Sequence, residues 1–74
     1  MIKDAIYTID WKNPYERLEA NCKVETTTCE IIQVDQIERT REDEPDVEFI
    51  FLDEHYYRVI RDENGKMLYQ EVWK

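Results

Sequence analysis

"NPYERLEAN", residues Asn13 to Asn21, decides the fold class. Read as a helix, it makes the chain α+β. Asn13 suits the cap position, Pro14 suits the first helical position, and Glu16 stands three residues after the cap, where a capping box places its acid. The helix predicted over about residues 14–20 turns Tyr15 and Leu18 toward a sheet. It is only about two turns long, so its stability must come from packing.

The chain on either side reads as strand. In "AIYTIDW", Ala5, Tyr7, Ile9 and Trp11 alternate with Ile6, Thr8 and Asp10, the period-two pattern of a strand. "VEFIFLD" places Val47, Phe49 and Phe51 on one side and Ile50 and Leu52 on the other. Apolar on both faces, it reads as an inner strand covered on two sides, and a short connection at Asp53-Glu54 makes it antiparallel to the next. In "HYYRVIRDENGKMLYQEVWK", Asn64-Gly65 is the strongest short-range hairpin signal, since a type I′ turn needs positive φ at both central residues. That turn predicts Glu63 opposite Lys66, Arg58 opposite Glu71, Tyr57 opposite Val72 and Tyr56 opposite Trp73. Residues 28–40 admit two readings. Val24, Thr26, Thr28, Ile32 and Val34 share one strand parity, and β-branched residues favour strands. Thr27 and Glu30 offer a capping box with Ile31, Val34 and Ile37 at helical spacing. The expected architecture is a single β-dominated α+β domain over residues 1–74, an antiparallel sheet of four or five strands with one short helix.

A chain of 74 residues is near the lower limit for folding without staples. Two tryptophans, two phenylalanines and five tyrosines supply the apolar surface that makes it feasible. The start, "MIKDAIYTIDWK", contains no apolar run of signal-peptide length, so the expected location is the cytoplasm. Along one continuous strand Cys22 and Cys29 would stand about 23 Å apart, which predicts free thiols.

The formal charge of −8 is unevenly placed. Glu25 to Glu54 holds eleven acids against Arg39 and Arg41, which is nine negative, and the remainder is nearly neutral. Direct nucleic-acid binding needs a basic footprint, and anionic membranes repel such a chain. The acidic stretch around Pro45 is therefore a solvated turn that keeps the protein soluble, or a surface that attracts something basic.

Signatures of catalysis are missing from the sequence. His55 is the one histidine and Gly65 the one glycine, so no multi-histidine metal site and no Gly-rich phosphate loop can be assembled. "EDEPDVE" offers oxygen ligands without the spaced pattern of an EF-hand. No catalytic residue, cofactor or metal is expected. Carboxylates two apart on a strand are about 6.6 Å from each other, close to the phosphate spacing of a DNA strand, which makes mimicry of nucleic acid the functional reading. The candidate partner-binding acids are Glu38, Glu42, Asp43, Glu44, Asp46 and Glu48, with Tyr56, Tyr69 and Trp73 as apolar contacts. The partner they imply is a basic surface on a nucleic-acid-binding enzyme. Arg58 and Arg61, near tyrosines, are the candidate residues for an alternative small-ligand (nucleotide) site; a plain structural or assembly module is the third reading. Excess apolar surface favours a homodimer or a protein partner. In size, acidity and strand content the chain is similar to phage-encoded inhibitors, anti-CRISPR proteins and uracil-DNA glycosylase inhibitors among them. That resemblance implies an inhibitor that is not an enzyme and assigns no residue roles.

Overall fold

The computed structural model describes residues 1–71. Six strands follow one another: β1 (Ile2–Lys12), β2 (Tyr15–Glu25), β3 (Glu30–Val34), β4 (Val47–Leu52), β5 (His55–Arg61) and β6 (Met67–Glu71). They close into an antiparallel barrel in the order β1-β2-β3-β6-β5-β4. β4 returns beside β1, a Greek-key connection. Among the described residues there is no helix, so the α+β expectation is corrected to all-β, and a sheet of four or five strands to a closed barrel of six.

The helix expected at 14–20 is the first half of β2. Asn13 and Pro14 form a two-residue turn, joined by a cis peptide bond, and Lys12 pairs with Tyr15. From there the side chains alternate. Leu18, Ala20, Cys22 and Val24 turn inward, while Tyr15, Arg17, Glu19, Asn21 and Lys23 stay exposed. Pairing with β1 along eleven residues gives all of β2 a hydrogen-bonding neighbour, whereas a two-turn helix leaves most of its N–H and C=O groups at unpaired ends. Tyr15, expected against the sheet, is 65% exposed.

A turn at Thr26–Cys29 ends β2 and starts β3, so residues 28–40 hold a short strand followed by irregular chain and no helix, and Cys22 and Cys29 do not share one continuous strand. Both thiols are free; Cys22 is buried and Cys29 exposed. The seam between β3 and β6 is short. Glu30 pairs with Leu68, the Tyr69 N–H donates to the Cys29 carbonyl at 2.9 Å, and Lys66 forms an ion pair with Glu30.

The last hairpin is shifted by one residue from its expected register. Arg61 pairs with Met67, Val59 with Tyr69, Arg58 with Gln70 and Tyr57 with Glu71. The Asp62 N–H donates to the Lys66 carbonyl at 3.1 Å, so Glu63–Asn64–Gly65 is a three-residue loop with Gly65 at φ 82°, a standard longer hairpin geometry. Asp62 Oδ1 draws the loop in by accepting from the N–H groups of Asn64 and Lys66, each at 2.9 Å. An odd loop in place of an even one reverses the faces of β6. Tyr69 therefore enters the core beside Val59 and packs edge-on against Tyr57, with ring centroids 5.1 Å apart. The type I′ geometry occurs instead at Asp53-Glu54, with φ 51° and 68°, between paired Leu52 and His55.

The core is Ala5, Tyr7, Ile9 and Trp11 of β1 with Cys22, Val24, Ile31, Ile50, Leu52, Val59 and Tyr69. The alternation expected for β1 is the one observed, whereas β4, expected to be covered on both faces, buries Ile50 and Leu52 and leaves Phe51 37% exposed.

Candidate functional site

Strand order dictates where the acidic stretch goes. β3 and β4 lie on opposite sides of the barrel, so residues 35–46 must cross one open end. They do so as an irregular strap over Trp11. Its first residue is held by the Asp35 N–H, which donates to the Asn21 carbonyl at 2.9 Å, and its last by the Asp46 N–H, which donates to the Asp10 carbonyl at 2.9 Å. Between them Ile37 packs against the core, and the Thr40 hydroxyl donates to the Glu16 carboxylate.

Arg41 is the central fastener. Its guanidinium carbon lies 5.2 Å from the Trp11 ring centroid. Nη1 donates to the Pro14 carbonyl at 2.7 Å, while Nε and Nη2 grip the Asp43 carboxylate at 3.0 and 2.8 Å. Trp11 Nε1 donates to the Asp43 carbonyl at 3.1 Å, and Asp46 Oδ2 accepts from the Lys12 N–H at 2.7 Å. The Arg41 hydrogen bonds hold the Asp43 carboxyl below the usual range, so it stays ionised beside its partner.

The six candidate acids thus separate by role. Asp43 is neutralised by Arg41 and Asp46 caps the β1 backbone. Glu48 faces into the barrel mouth, where the Tyr7 hydroxyl donates to it and Arg61 contacts both its oxygens, at 3.1 and 3.3 Å. Burial raises the Glu48 pKa, but hydrogen bonds from Arg61 and Tyr7 outweigh it and hold the group ionised below its ordinary range. Tyr7 is pushed up to about 12 by burial and by its bond to Glu48. Glu48 therefore belongs to an internal network. Glu38, Glu42 and Glu44 are exposed, and none of them forms an ion pair among the described residues.

The aromatic candidates also part company. Tyr69 is 6% exposed and offers no contact surface, Trp73 lies outside the described residues, and Tyr56 is 58% exposed. Tyr56 stands on the outward face of the barrel with Phe49 and Phe51, at centroid distances of 5.4 and 4.9 Å. Arg17 covers Phe49 from the other side, 5.6 Å from its centroid. A shallow groove of about 300 Å³ runs between Val47, Phe49, Tyr56 and Arg58. The period-two pattern places Phe49 and Phe51 on one side of their strand under an expected second layer; among the described residues no such layer covers them.

Arg58 and Arg61 do not converge. Arg61 is engaged by Glu48, whereas Arg58 is exposed on the outer face, opposite Phe49 and Gln70. The expected Arg58–Glu71 pairing is replaced by Arg58–Gln70. His55 stands exposed at the head of β5. Among the described residues no group of three or more His, Cys, Asp or Glu side chains is placed to hold a metal ion, and no helix is long and apolar enough to cross a membrane.

Comparison with protein-family models, with curated proteins and with solved structures finds no match to this chain.

Proposed function

We propose that this protein is a non-enzymatic binding protein of the inhibitor type, which occupies the basic, nucleic-acid-contacting groove of a partner enzyme from the strap end of its barrel. One observation carries the reading: the strap divides its residues between fastening and display. Ile37, Thr40, Arg41, Asp43 and Asp46 pack or hydrogen-bond to the barrel, Asp43 through its carbonyl, while Glu38, Glu42 and Glu44 are exposed without an ion-pair partner among the described residues. Charges on a segment already tied down lose little conformational entropy when a partner arrives. Unpaired carboxylates at one end of the molecule also steer encounter with a basic surface. A cytoplasmic location accompanies this reading.

The test is capture from a bacterial lysate on immobilised protein at low and high salt, followed by inhibition assays on the purified retained enzyme. A nuclease or glycosylase held at low salt, released at high salt and inhibited in proportion to occupancy is the expected result. The Glu38→Lys, Glu42→Lys, Glu44→Lys triple variant should lose both retention and inhibition. Equal inhibition by the triple variant would contradict the proposal.

A further inference from the structure

The outward aromatic face has a composition that a soluble barrel does not need for folding, and its pattern is self-complementary. Across β2, β1, β4 and β5 the registers align Glu19, Thr8, Phe49 and Arg58 in one row. The next row is Asn21, Ile6, Phe51 and Tyr56. The two central columns, on β1 and β4, are apolar or small. The two flanking columns are polar, Glu19 and Asn21 on one side and Arg58 and Tyr56 on the other, with an acid opposite a base. Neither Glu19 nor Arg58 forms an ion pair among the described residues.

We infer that this face pairs with the same face of a second copy, making a two-fold homodimer. An isologous contact sets each residue against the image of another, so a patch must complement itself. A two-fold axis in the contact plane, running along the strands between β1 and β4, places Glu19 against Arg58 of the second copy and Ile6 against its Phe51. Barrel curvature matches this arrangement. Two convex faces touch along their centres, where Ile6 and Phe51 lie, and diverge at their flanks, where the longer Glu19 and Arg58 side chains reach across the gap. The face is also locally balanced in charge, because Arg17 is paired with Asp10 at 3.4 Å and Glu19 is offset by Arg58. The same axis brings both straps to one end of the dimer, which doubles the acidic surface presented there.

The contact is small. Four strands span about 14 Å, well short of the ~800 Å² per partner of a standard interface, so the dimer is weak and concentration-dependent. Two molecules of charge −8 repel each other, and salt screens that repulsion, with a Debye length of about 8 Å at physiological ionic strength. Added salt therefore strengthens the dimer, the opposite of its effect on a basic partner.

Sedimentation velocity from low micromolar to near-millimolar protein, at low and high sodium chloride, tests this directly. The expected result is self-association that grows with concentration and with salt. Glu19→Arg and Arg58→Glu should each weaken it about three- to tenfold, as loss and reversal of two symmetric rim pairs implies, and the double swap should restore it. Phe51→Lys should leave a folded monomer by circular dichroism. A wild-type protein that stays monomeric throughout, or a double swap no better than the singles, would overturn the dimer. Neither result touches the strap proposal, whose variants lie elsewhere and whose salt dependence has the opposite sign.

Discussion

Arg41 and Trp11 meet across the end of the barrel, with the guanidinium carbon 5.2 Å from the indole centroid and the indole N–H bonded to the carbonyl of Asp43, 3.1 Å away. Arg41 is one of two bases in a thirty-residue acidic region, and its role is to turn that region into a lid. It satisfies the carbonyl of Pro14, neutralises one acid and covers a fully buried tryptophan. A cation over an aromatic face is favourable where water is excluded. Charge count alone makes these residues an acidic turn; the geometry makes them a strap.

The observed hairpin register separates two tyrosines that sequence reasoning grouped together. Tyr69→Ala should cost about 3–5 kcal/mol, as removal of a large buried side chain does. Tyr56→Ala, on an exposed face, should change monomer stability by less than about 1 kcal/mol. Urea denaturation of the two variants checks this, and comparable losses would argue for the even-loop register.

Glu54 holds φ 68° in the turn between β4 and β5, a conformation that glycine adopts without the Cβ penalty. Glu54→Gly should therefore stabilise the barrel by about 0.5–1 kcal/mol, less the greater freedom glycine has in the unfolded chain. A lower melting temperature would show that the side chain contributes something the turn geometry does not reveal.

Stability should fall at alkaline pH. Burial pushes Cys22 up from 9.0 to about 11 and Tyr69 from 10.0 to about 12, and burial with the Glu48 bond pushes Tyr7 from 10.0 to about 12. In each case the folded state holds its proton more tightly than the unfolded state. The stabilisation is complete below the unfolded values and is lost as pH rises through the folded ones. The expected curve declines between about pH 9 and pH 12, and Tyr7→Phe should flatten its upper part. Glu48 acts at the other end of the scale, since its folded pKa is depressed. Its contribution is present above the ordinary glutamate range and is lost as pH falls through the folded value. Chemical denaturation across pH, with tyrosinate absorbance as a second readout, checks both limbs.

Individual strands were legible in the sequence, but the barrel they close was not. The alternation of Ala5, Tyr7, Ile9 and Trp11, the separation of Ile50 and Leu52 from Phe49 and Phe51, and a short antiparallel connection at Asp53-Glu54 need only period-two reasoning. The helix at 14–20 was a conflict between a local signal and a longer one. Asn13, Pro14 and Glu16 satisfy a capping box, but Leu18, Ala20, Cys22 and Val24 alternate over a longer stretch, and a partner strand of equal length lies just upstream. Local signals yield where tertiary pairing satisfies more of the backbone. The slipped hairpin was hidden for another reason: the Asp62 carboxylate holds a three-residue loop by accepting from the N–H groups of Asn64 and Lys66, and Asn64-Gly65 is equally at home in loops of two or three residues. Closure of the sheet has no local signature, so the covering layer assigned to Phe49 and Phe51 could not be ruled out from spacing. For the site, the charge asymmetry was visible, but which acids are spent on fastening depends on the crossing path from β3 to β4. Glu48 is the plainest case, since only the folded barrel brings Tyr7 and Arg61 to it.

The strap holds to the barrel through Arg41 and Asp43 and leaves Glu38, Glu42 and Glu44 exposed. Equilibrium urea unfolding of Arg41→Ala beside the Glu38→Gln, Glu42→Gln, Glu44→Gln triple variant tests this division most directly, under identical salt. The expected result is a clearly lower midpoint for Arg41→Ala, and an unchanged or slightly higher midpoint for the triple variant, which loses only self-repulsion. A triple variant that loses as much stability as Arg41→Ala, or an Arg41→Ala variant that loses none, would contradict it.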